Sequence, residues 1–488
     1  MDHLLLQSAT TIATALRRRE VGAVELLKAQ LARVDRLDRH INAVVVRDDA
    51  RALQRAAQAD DALARGECWG PLHGLPMTVK EAFDIPGLPT TWGFEAFRDN
   101  RPDKAAVTVQ RLQDAGAVIF GKTNVPVALA DWQSFNPVYG TTNNPWDLTR
   151  IPGGSSGGSA AALAAGMSAL ELGSDIGASI RNPAHYCGVW GHKPTWGVVP
   201  QAGHQLPGLE DADLVDIGAV GPMARSAADL ALAMDVLASP LSAMTPLGRV
   251  PAQWRDDGRS PRQLRVAMVF DDAQAEVDHA IQDKLRLLAD VLRRAGVAVT
   301  EDARPVDSEE THRVYVRMVR AATASLSDDA SYADYLRHAA AVPPDADDFP
   351  ARHWRGMTTD HRGWIQAHQT RARLGRQWAA FFQQHDLLIC PIATSAAFAH
   401  NQTGWRWERM ISVNGGLQPT TASLFWAGYT NLCGLPGTCF PLGLTPAGLP
   451  VGAQVCGPLY SDPMTIRFAR WLEQEFCGFT PPPMAWAV

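Results

Sequence analysis

The sequence predicts an α/β fold with a large and substantially parallel β-sheet. Segments of strand character alternate with helical segments along nearly all of the 488 residues, which is the pattern that parallel sheets require. Hydrophobic residues make up 46% and charged residues 20% of the chain, ordinary values for a globular protein. No internal repeat or low-complexity tract interrupts the pattern. A chain of this length can bury a large core without a disulfide or a metal.

The first part of the chain predicts a helical start that is followed by strands and loops. Helical periodicity extends from Ser8, an expected N-cap, to about Leu63, and Leu75–Lys80 predicts a short strand that ends at the lysine. Residues 134–158 are rich in Ser, Asn, Pro, Gly and Thr and predict a loop. The other elements expected here are a helix at 105–115, a strand at 117–120, a helix at 159–165 and a strand at 169–172.

The second part predicts a helical region between two groups of strands. A Pro-rich, charged stretch near 240–263 is expected to be a linker or a surface crossing. Residues 308–384 are mostly helical in pattern and rich in charge. The other expected elements are strands at 264–270, 387–392, 434–443 and 448–457, and helices at 275–295 and 463–476.

Composition excludes several functional classes. The formal net charge of −6 argues against nucleic acid as the main partner, because phosphate binding leaves a basic footprint. The first residues lack the basic segment of a signal peptide, and no apolar run reaches the roughly 18 residues of a membrane span. The seven cysteines are scattered and form no C-x-x-C pair, which indicates reduced thiols in a cytoplasmic protein.

Lysine is rare in this chain, which draws attention to the lysines in apolar or glycine-rich settings. Only six of the 45 basic residues are lysine, and Lys80, Lys122 and Lys193 are the three that do not look like surface positions. Arginine can supply positive charge at any of these positions, but it cannot lose a proton at neutral pH. Lys80, at the end of an apolar strand, is therefore a candidate for proton transfer.

Two familiar motif patterns occur in the wrong context. Gly116–Thr123 fits the P-loop pattern, but its interior, Ala-Val-Ile-Phe, predicts a strand and Pro126 follows shortly afterwards. Gly153–Gly157 fits the G-x-S-x-G nucleophile elbow, but Asn144–Pro152 is not the hydrophobic strand that an elbow requires. We therefore expect neither an NTPase nor an α/β-hydrolase elbow.

The two glycine-serine loops are expected to meet. The loop Gly153–Ser159 opens a helix of roughly 10 residues, about 15 Å long. A strand of about 5 residues then returns about 17 Å, which brings Gly173–Ser179 close to Ser155. Small residues in the second loop allow backbone amides to face a reacting carbonyl oxygen. The base for a serine nucleophile is expected to be Lys80, with histidine as the alternative: His73, His185, His192 or His204.

The chain resembles the amidase signature family over nearly its full length. The resemblance rests on segments that follow one another in order and spacing: Gly74–Lys80, Gly87–Thr91, Gly153–Ser159, Ser174–Pro183, His192–Gly197 and Gly448–Gly457. It implies a single large mixed β-sheet flanked by helices on both faces. It also implies one amidase domain over residues 1–488, with a variable helical insertion at about 308–384 that forms a pocket wall or lid.

The resemblance further implies a Ser-Ser-Lys triad. Ser179 attacks the amide carbonyl and forms an acyl-enzyme, while Ser155, whose peptide bond is cis, relays the proton to and from neutral Lys80. The remaining implied roles are carried by the oxyanion donors Ile176, Gly177, Ala178 and Ser179, the polar network of Ser156, Asp175 and Arg181, and the acyl-pocket residues Leu129, Ala130, Asp131 and Trp132. Lys122 and Lys193 are then structural. Two positions depart from the family: Ala178 replaces a usual Gly, and Ser174 a common Thr.

The expected function is hydrolysis of the C–N bond of a small, apolar or aryl amide. The many tryptophans, with Trp405, Trp407, Phe425 and Trp426 late in the chain, favour an apolar pocket, although ordinary packing explains them almost as well. Esters and carbamates are open to the same chemistry. A different class of answer is the glutaminase component of a tRNA-dependent amidotransferase, which is disfavoured by the Ser174–Ser179 sequence.

We expect a small-molecule amide, ester or carbamate as the partner, and neither nucleic acid nor membrane; a homodimer is left open. No cofactor or metal is expected. His185, Cys187 and His192 resemble a metal-ligand cluster only loosely, and a serine nucleophile does not need a metal.

Overall fold

The computed structural model describes residues 1–209, 215–238 and 258–486. The stretch expected as a linker near 240–263 falls mostly outside the described residues. The strands are β1 (Val44–Arg47), β2 (Pro76–Lys80), β3 (Val118–Thr123), β4 (Phe135–Asn136), β5 (Gly140–Thr141), β6 (Glu171–Asp175), β7 (Trp190–Lys193), β8 (Ala219–Ala224), β9 (Arg265–Met268), β10 (Ala298–Glu301), β11 (Leu387–Pro391), β12 (Met410–Val413), β13 (Gly416–Pro419), β14 (Gly437–Leu444) and β15 (Pro450–Cys456).

The helices surround and link these strands. They are α1 (Asp2–Leu5), α2 (Ala9–Arg17), α3 (Ala23–Ile41), α4 (Asp49–Ala64), α5 (Val107–Asp114), α6 (Gly157–Ala164), α7 (Arg181–Cys187), α8 (Ala227–Leu237), α9 (His279–Arg294), α10 (Ser308–Ala324), α11 (Asp329–Ala340), α12 (Phe349–Met357), α13 (His361–Gln384), α14 (Leu424–Asn431) and α15 (Asp462–Glu475). None of these described helices is both long enough and apolar enough to cross a membrane.

Eleven of the strands form one mixed sheet in the order β1-β3-β2-β6-β8-β7-β14-β15-β11-β9-β10. Its parallel pairs are β2–β3, β2–β6, β9–β10 and β9–β11, and the other six neighbouring pairs are antiparallel. Two of the parallel pairs are joined by a crossover helix, α5 or α9. The alternation of strands and helices in the sequence predicts more parallel pairs than this sheet contains. One reason for the difference is that β8 inserts between β6 and β7 and is antiparallel to both. The mixed sheet is the one that the family resemblance implies.

A strand interrupts the long helical region that the sequence predicts at the start of the chain. Ser8 is the N-cap of α2, with its hydroxyl accepting from the Thr11 amide at 3.2 Å, as expected. Between α3 and α4, however, β1 pairs antiparallel with β3 at the edge of the sheet. This strand has only four residues, VVVR, which is too short to show an alternating pattern against the helical periodicity on either side.

Helix α6 is buried along its whole length in the centre of the fold. Its sequence, GGSAAALA, consists almost entirely of small residues, and all eight are buried. A Cβ added at Gly158 would collide with the backbone nitrogen and oxygen of Asn124. Small side chains therefore let this helix lie directly against the neighbouring backbone, which fixes the position of the loop that precedes it.

The segment 308–384 is helical, as the sequence predicts. It contains α10, α11, α12 and α13, and α10 packs against α12, α13 and the later helix α14. Through these contacts α10 lies next to the loop that follows β6, since Tyr315 on α10 reaches the carbonyl of Ile176.

Candidate active site

The sheet topology brings Lys80 to the two glycine-serine loops. Strands β2 and β6 are parallel neighbours, so their carboxyl ends lie at the same edge of the sheet. Lys80 is the last residue of β2, and Asp175 is the last residue of β6. Ser155 immediately precedes the capping residue of α6. The amide of the next residue, Ser156, donates to the carbonyl of Ser179 at 3.1 Å, which joins the two loops.

Lys80 lies fully buried between two serine hydroxyls. Its Nζ is 2.6 Å from Ser155 Oγ and 2.9 Å from Ser174 Oγ. Burial lowers the pKa of Lys80 from 10.5 to about 7, although the negative charge of Asp175 opposes this change. A substantial fraction of the amine is therefore neutral at physiological pH and able to accept a proton. The Gly154–Ser155 peptide is cis, as the resemblance implies.

Among the residues that the structure describes, three of the expected oxyanion donors, Ile176, Gly177 and Ser179, have free amides, and those of Gly177 and Ser179 are also held in direction. In the part of the chain that the structure describes, the N–H groups of Gly177 and Ser179 make no hydrogen bond. The carbonyl that precedes each amide is held in place: Tyr315 Oη donates to Ile176 O at 2.8 Å, and the Asn182 amide donates to the carbonyl before Ser179 at 2.6 Å. Because each peptide group is planar, these contacts also fix the directions of the two amides.

The amide of Ala178 is not free, which corrects the expectation that it serves as an oxyanion donor. Ala178 has a φ of 65°, in the left-handed region that glycine adopts more easily, and its N–H donates to Asp175 Oδ1 at 2.9 Å. This conformation explains why glycine is usual at the position. The carbonyl of Gly177 accepts from the Trp132 indole at 2.8 Å.

Asp175 and Arg181 form the centre of the buried polar network. Arg181 Nε and Nη2 each lie 2.9 Å from the Asp175 carboxylate, and both side chains are inaccessible to solvent. Burial is the largest influence and raises the pKa of Asp175. The charge and hydrogen bonds of Arg181, with the charge of Lys193 and a hydrogen bond from Asn431, together outweigh burial and hold the pKa at about 2. Arg181 Nη1 also donates to Thr430 and Gln454, which ties the loop to α14 and β15. Ser156 Oγ lies 3.4 Å from both the amide and the carbonyl of Ser174.

These residues open into a cavity of about 340 Å³. Ser155, Ser174 and Ser179 lie in its wall together with Leu129, Ala130, Asp131 and Trp132, the segment expected on the acyl side. Ile176 also lines it. The other lining residues are largely apolar and include Trp92, Phe94, Leu206, Val215, Val319, Leu326, Tyr335, Trp354, Met357, Phe398, Trp405 and Leu424.

Aromatic side chains from two segments form part of this wall. Trp405 stacks on Trp407 with ring centroids 5.0 Å apart, and Trp354 of α12 lies edge-on to Trp405 at 5.5 Å. Trp405 lines the cavity, as its position in the late aromatic stretch suggests. Phe425 and Trp426 are instead buried in the core, so ordinary packing accounts for them.

Three of the four candidate histidines are held by hydrogen bonds at both ring nitrogens. His73 contacts backbone groups of Trp69 and Ala59, His185 those of Gly452 and Ser395, and His192 the side chains of Thr438 and Asp462. His204 lines the cavity, but burial, with a smaller contribution from Lys80, lowers its pKa to about 3. A base with so low a pKa accepts a proton poorly at neutral pH.

Lys122 and Lys193, the two lysines expected to be structural, bond to nearby oxygen atoms. Lys122 Nζ bonds to Pro89 O and Thr90 Oγ1, and Lys193 Nζ bonds to Pro194 O.

The two motif patterns rejected from the sequence lack their structural context. Gly121–Thr123 belongs to β3, where a P-loop would have a loop and the start of a helix, and no strand immediately precedes Ser155, as a nucleophile elbow requires. All seven cysteines are free. Within residues 1–209, 215–238 and 258–486, no group of three potential ligands could hold a metal ion.

Sequence reasoning missed Tyr315 and Arg320, which reach the site from α10. Tyr315 holds the loop after β6, and Arg320 lies in the cavity wall. Both residues are more than 130 positions from Ser179 in the sequence, and the pattern of α10 is that of an ordinary amphipathic helix. The unusual signal is an arginine among the buried positions of α10, but burial is not visible in the sequence itself.

Comparison with known proteins identifies the family. The amidase family model matches residues 25–466, which is most of the chain. The chain therefore belongs to the amidase family, and its reaction is the hydrolysis of amide C–N bonds.

Named relatives and solved structures cover nearly the whole chain. An indoleacetamide hydrolase of Bradyrhizobium diazoefficiens is 32% identical over 486 residues, covering 96% of this chain and 86% of the relative. A glutamyl-tRNA(Gln) amidotransferase subunit from an Anaeromyxobacter strain is 32% identical, with 95% of each chain covered. A crystal structure of an amidase matches with a TM-score of 0.77 and 27% identity, over 96% of this chain and 100% of that one.

Proposed function

We propose that this amidase cleaves a small, apolar or aryl amide through an acyl-enzyme on Ser179, with Ser155 and Lys80 completing a Ser-Ser-Lys triad. The observation that carries the proposal is the buried Lys80 amine, 2.6 Å from Ser155 Oγ in a site that also contains Ser179. Its pKa of about 7 suits a group that must both accept and return a proton near neutrality.

The first half of the reaction forms the acyl-enzyme. Neutral Lys80 accepts the proton of Ser155, which in turn accepts the proton of Ser179 as Ser179 Oγ attacks the carbonyl carbon. The amides of Gly177 and Ser179 donate to the oxygen that becomes negative, a contribution worth roughly 3 kcal/mol for one donor in other enzymes. When the tetrahedral species collapses, the C–N bond breaks and the proton passes through Ser155 to the departing amine.

The second half releases the acid. Water attacks the acyl carbon while the same Ser155–Lys80 pair accepts its proton. The bond between the acyl carbon and Ser179 Oγ then breaks, the pair returns the proton to Ser179 Oγ, and the carboxylic acid leaves. Asp175 and Arg181 take no proton in this scheme. They hold the loop in shape, because Asp175 accepts from the amide of Ala178 and from the Arg181 side chain.

The substrate class rests on the cavity and on one relative. Tryptophan and other apolar side chains dominate the cavity wall, which favours an apolar or aryl group beside the amide. One relative is named as an indoleacetamide hydrolase, and indoleacetamide has such an aryl group beside its amide.

We further propose that residues 308–384 form a pocket wall within one amidase domain. We also propose that the enzyme acts in a reducing, cytoplasmic compartment, since all seven of its cysteines are free.

A panel of purified variants and matched substrates tests the proposal. We expect wild-type protein to hydrolyse indole-3-acetamide and phenylacetanilide, Ser179→Ala to lose activity, and Ser155→Ala to lose most of it. Ser331→Ala, on the amino-terminal part of α11, is the matched control and should retain wild-type rates. Full activity of Ser179→Ala would overturn the nucleophile assignment. The panel also contains the phenyl ester of phenylacetic acid and an N-phenyl carbamate, which test the ester and carbamate alternatives.

The second candidate is the glutaminase component of an amidotransferase, which the equally similar amidotransferase relatives favour. On the resemblance, the sequences Ser174–Ser179 and His192–Val199 both depart from the type usual in that component, which argues against it. Glutamine hydrolysis that exceeds hydrolysis of the aryl amides by wild-type protein would support this alternative over ours.

A further inference from the structure

One buried cation in the cavity wall has no partner. Arg320 on α10 is 6% exposed, and its Nε is buried without a hydrogen-bond partner. In the part of the chain that the structure describes, its guanidinium makes no hydrogen bond, ion pair or ring stacking contact. Arg320 is one of the residues that line the cavity, so a group bound in the cavity can reach this cation.

The other buried arginines are all satisfied, so Arg320 is an exception among the residues that the structure describes. Arg181 and Arg409 are paired with Asp175 and Asp131. Arg33 and Arg225 each donate to two or more backbone carbonyls. An unpaired buried charge is costly, and a protein rarely retains one unless a ligand completes it.

The charges around Arg320 add to the positive potential. Among the described residues, three carboxylates line the same cavity, and each is paired with another arginine: Asp131 with Arg409, Asp175 with Arg181 and Asp334 with Arg337. Arg406 also lines the cavity and donates to the carbonyl of Ala130. Burial and then the charge of Arg406 lower the pKa of Arg320 to about 9, so the guanidinium still carries its charge at neutral pH.

We propose that Arg320 binds a carboxylate carried by the substrate at the end remote from the scissile amide. The inference rests on the proposed amidase function and narrows its substrate to an apolar or aryl amide with an anionic terminus. A planar guanidinium pairs with a carboxylate through two parallel hydrogen bonds, which a neutral group of similar shape cannot reproduce.

The rise along α10 between Tyr315 and Arg320 guides the choice of probe length. Tyr315 contacts the loop that holds the reacting carbonyl, and Arg320 lies five residues further along the same helix. This corresponds to roughly 8 Å along the helix axis. The anilide of 3-(4-carboxyphenyl)propanoic acid has a similar separation between its amide carbonyl and its carboxylate.

A pair of substrates of equal shape tests the proposal. The second substrate is the anilide of 3-(4-nitrophenyl)propanoic acid. Its nitro group replaces the carboxylate of the first substrate, since a nitro group has the shape of a carboxylate and no net charge. We expect kcat/KM for the carboxylate substrate to exceed that for the nitro substrate by roughly 100-fold in wild-type protein. Arg320→Met should abolish this preference, and Arg320→Lys should retain part of it. Arg313→Met, exposed on the same helix, should leave it unchanged.

Binding measurements keep the test independent of turnover. The two product acids, carboxyphenyl- and nitrophenyl-propanoate, are titrated into wild-type and Arg320→Met protein by calorimetry, with acetate and inorganic phosphate as free-anion probes. Selective loss of carboxyphenyl binding in Arg320→Met supports the subsite even if neither anilide is hydrolysed, in which case only the proposed reaction fails. Equal binding of the two acids, an equal loss for both in the variant, or binding of the free anions alone would overturn the proposal.

Discussion

Protonation of Lys80 is expected to set the acid limb of the pH–rate profile. With a pKa of about 7, the amine is about half neutral at pH 7 and about 1% neutral at pH 5. We therefore expect kcat/KM to fall about 100-fold from its plateau above pH 8 to pH 5. A lysine at its ordinary pKa of 10.5 would be only about 0.03% neutral at pH 7, and its activity would still be rising steeply at pH 9.

The assay measures kcat/KM for an anilide between pH 5 and pH 9 at constant ionic strength. Lys80→Arg keeps the positive charge but cannot act as a base, so we expect it to be inactive across this range. Lys193 provides the matched control, because burial lowers its pKa to about 7 as well. Lys193→Met should retain the acid limb if Lys80 is the group that titrates. Thermal unfolding of each variant shows whether it is folded.

Three results would contradict the assignment of the acid limb to Lys80. A profile that stays flat from pH 5 to pH 9 would mean that no group with a pKa near 7 controls the reaction. Retained activity in folded Lys80→Arg would remove Lys80 from the proton pathway, and loss of the acid limb in Lys193→Met would transfer the titration to that residue.

Two further predictions follow from buried contacts near the site. Tyr315→Phe removes the hydrogen bond to Ile176 O, worth about 1 kcal/mol, so kcat should fall roughly 5-fold with KM little changed; a rise in KM alone would contradict an effect on the oxyanion loop. Burial raises the pKa of Glu171 to about 8, so the protonated acid stabilises the fold, and that contribution is lost as pH rises from about 4.5 through 8. Relative to Glu171→Gln, the wild-type unfolding free energy in urea should decline by up to about 1.4 kcal/mol per pH unit between pH 6 and pH 8, and parallel curves would contradict this.

Much of the fold could be predicted because its strong elements have local signals. The β2–α5–β3 unit appears in the sequence as strand, helix and strand of ordinary length, and β9 and α9 appear as a strand and a helix; the short strand β10 that follows was not predicted. The position of β8 could not be predicted, since antiparallel insertion between β6 and β7 depends on long-range pairing and not on local pattern. The edge strand β1 could not be predicted either, because its four residues are too few to show an alternating pattern between two helical segments.

The centre of the site was predictable for a topological reason. A loop before a buried helix and a loop after the returning strand must lie close together, and the structure joins them through Ser156 and Ser179. The role of Ala178 was not predictable, because only the backbone conformation shows that its amide turns towards Asp175. Tyr315 and Arg320 reach the site through helix packing, which short-range sequence patterns do not encode.

Covalent labelling with a fluorophosphonate, followed by peptide mass spectrometry, identifies the nucleophile directly. We expect a single adduct on Ser179, no adduct in Ser179→Ala, and a lower labelling rate in Lys80→Arg. An adduct on Ser155 or Ser156 in place of Ser179 would contradict the assignment of the nucleophile and, with it, the direction of proton transfer proposed for the triad.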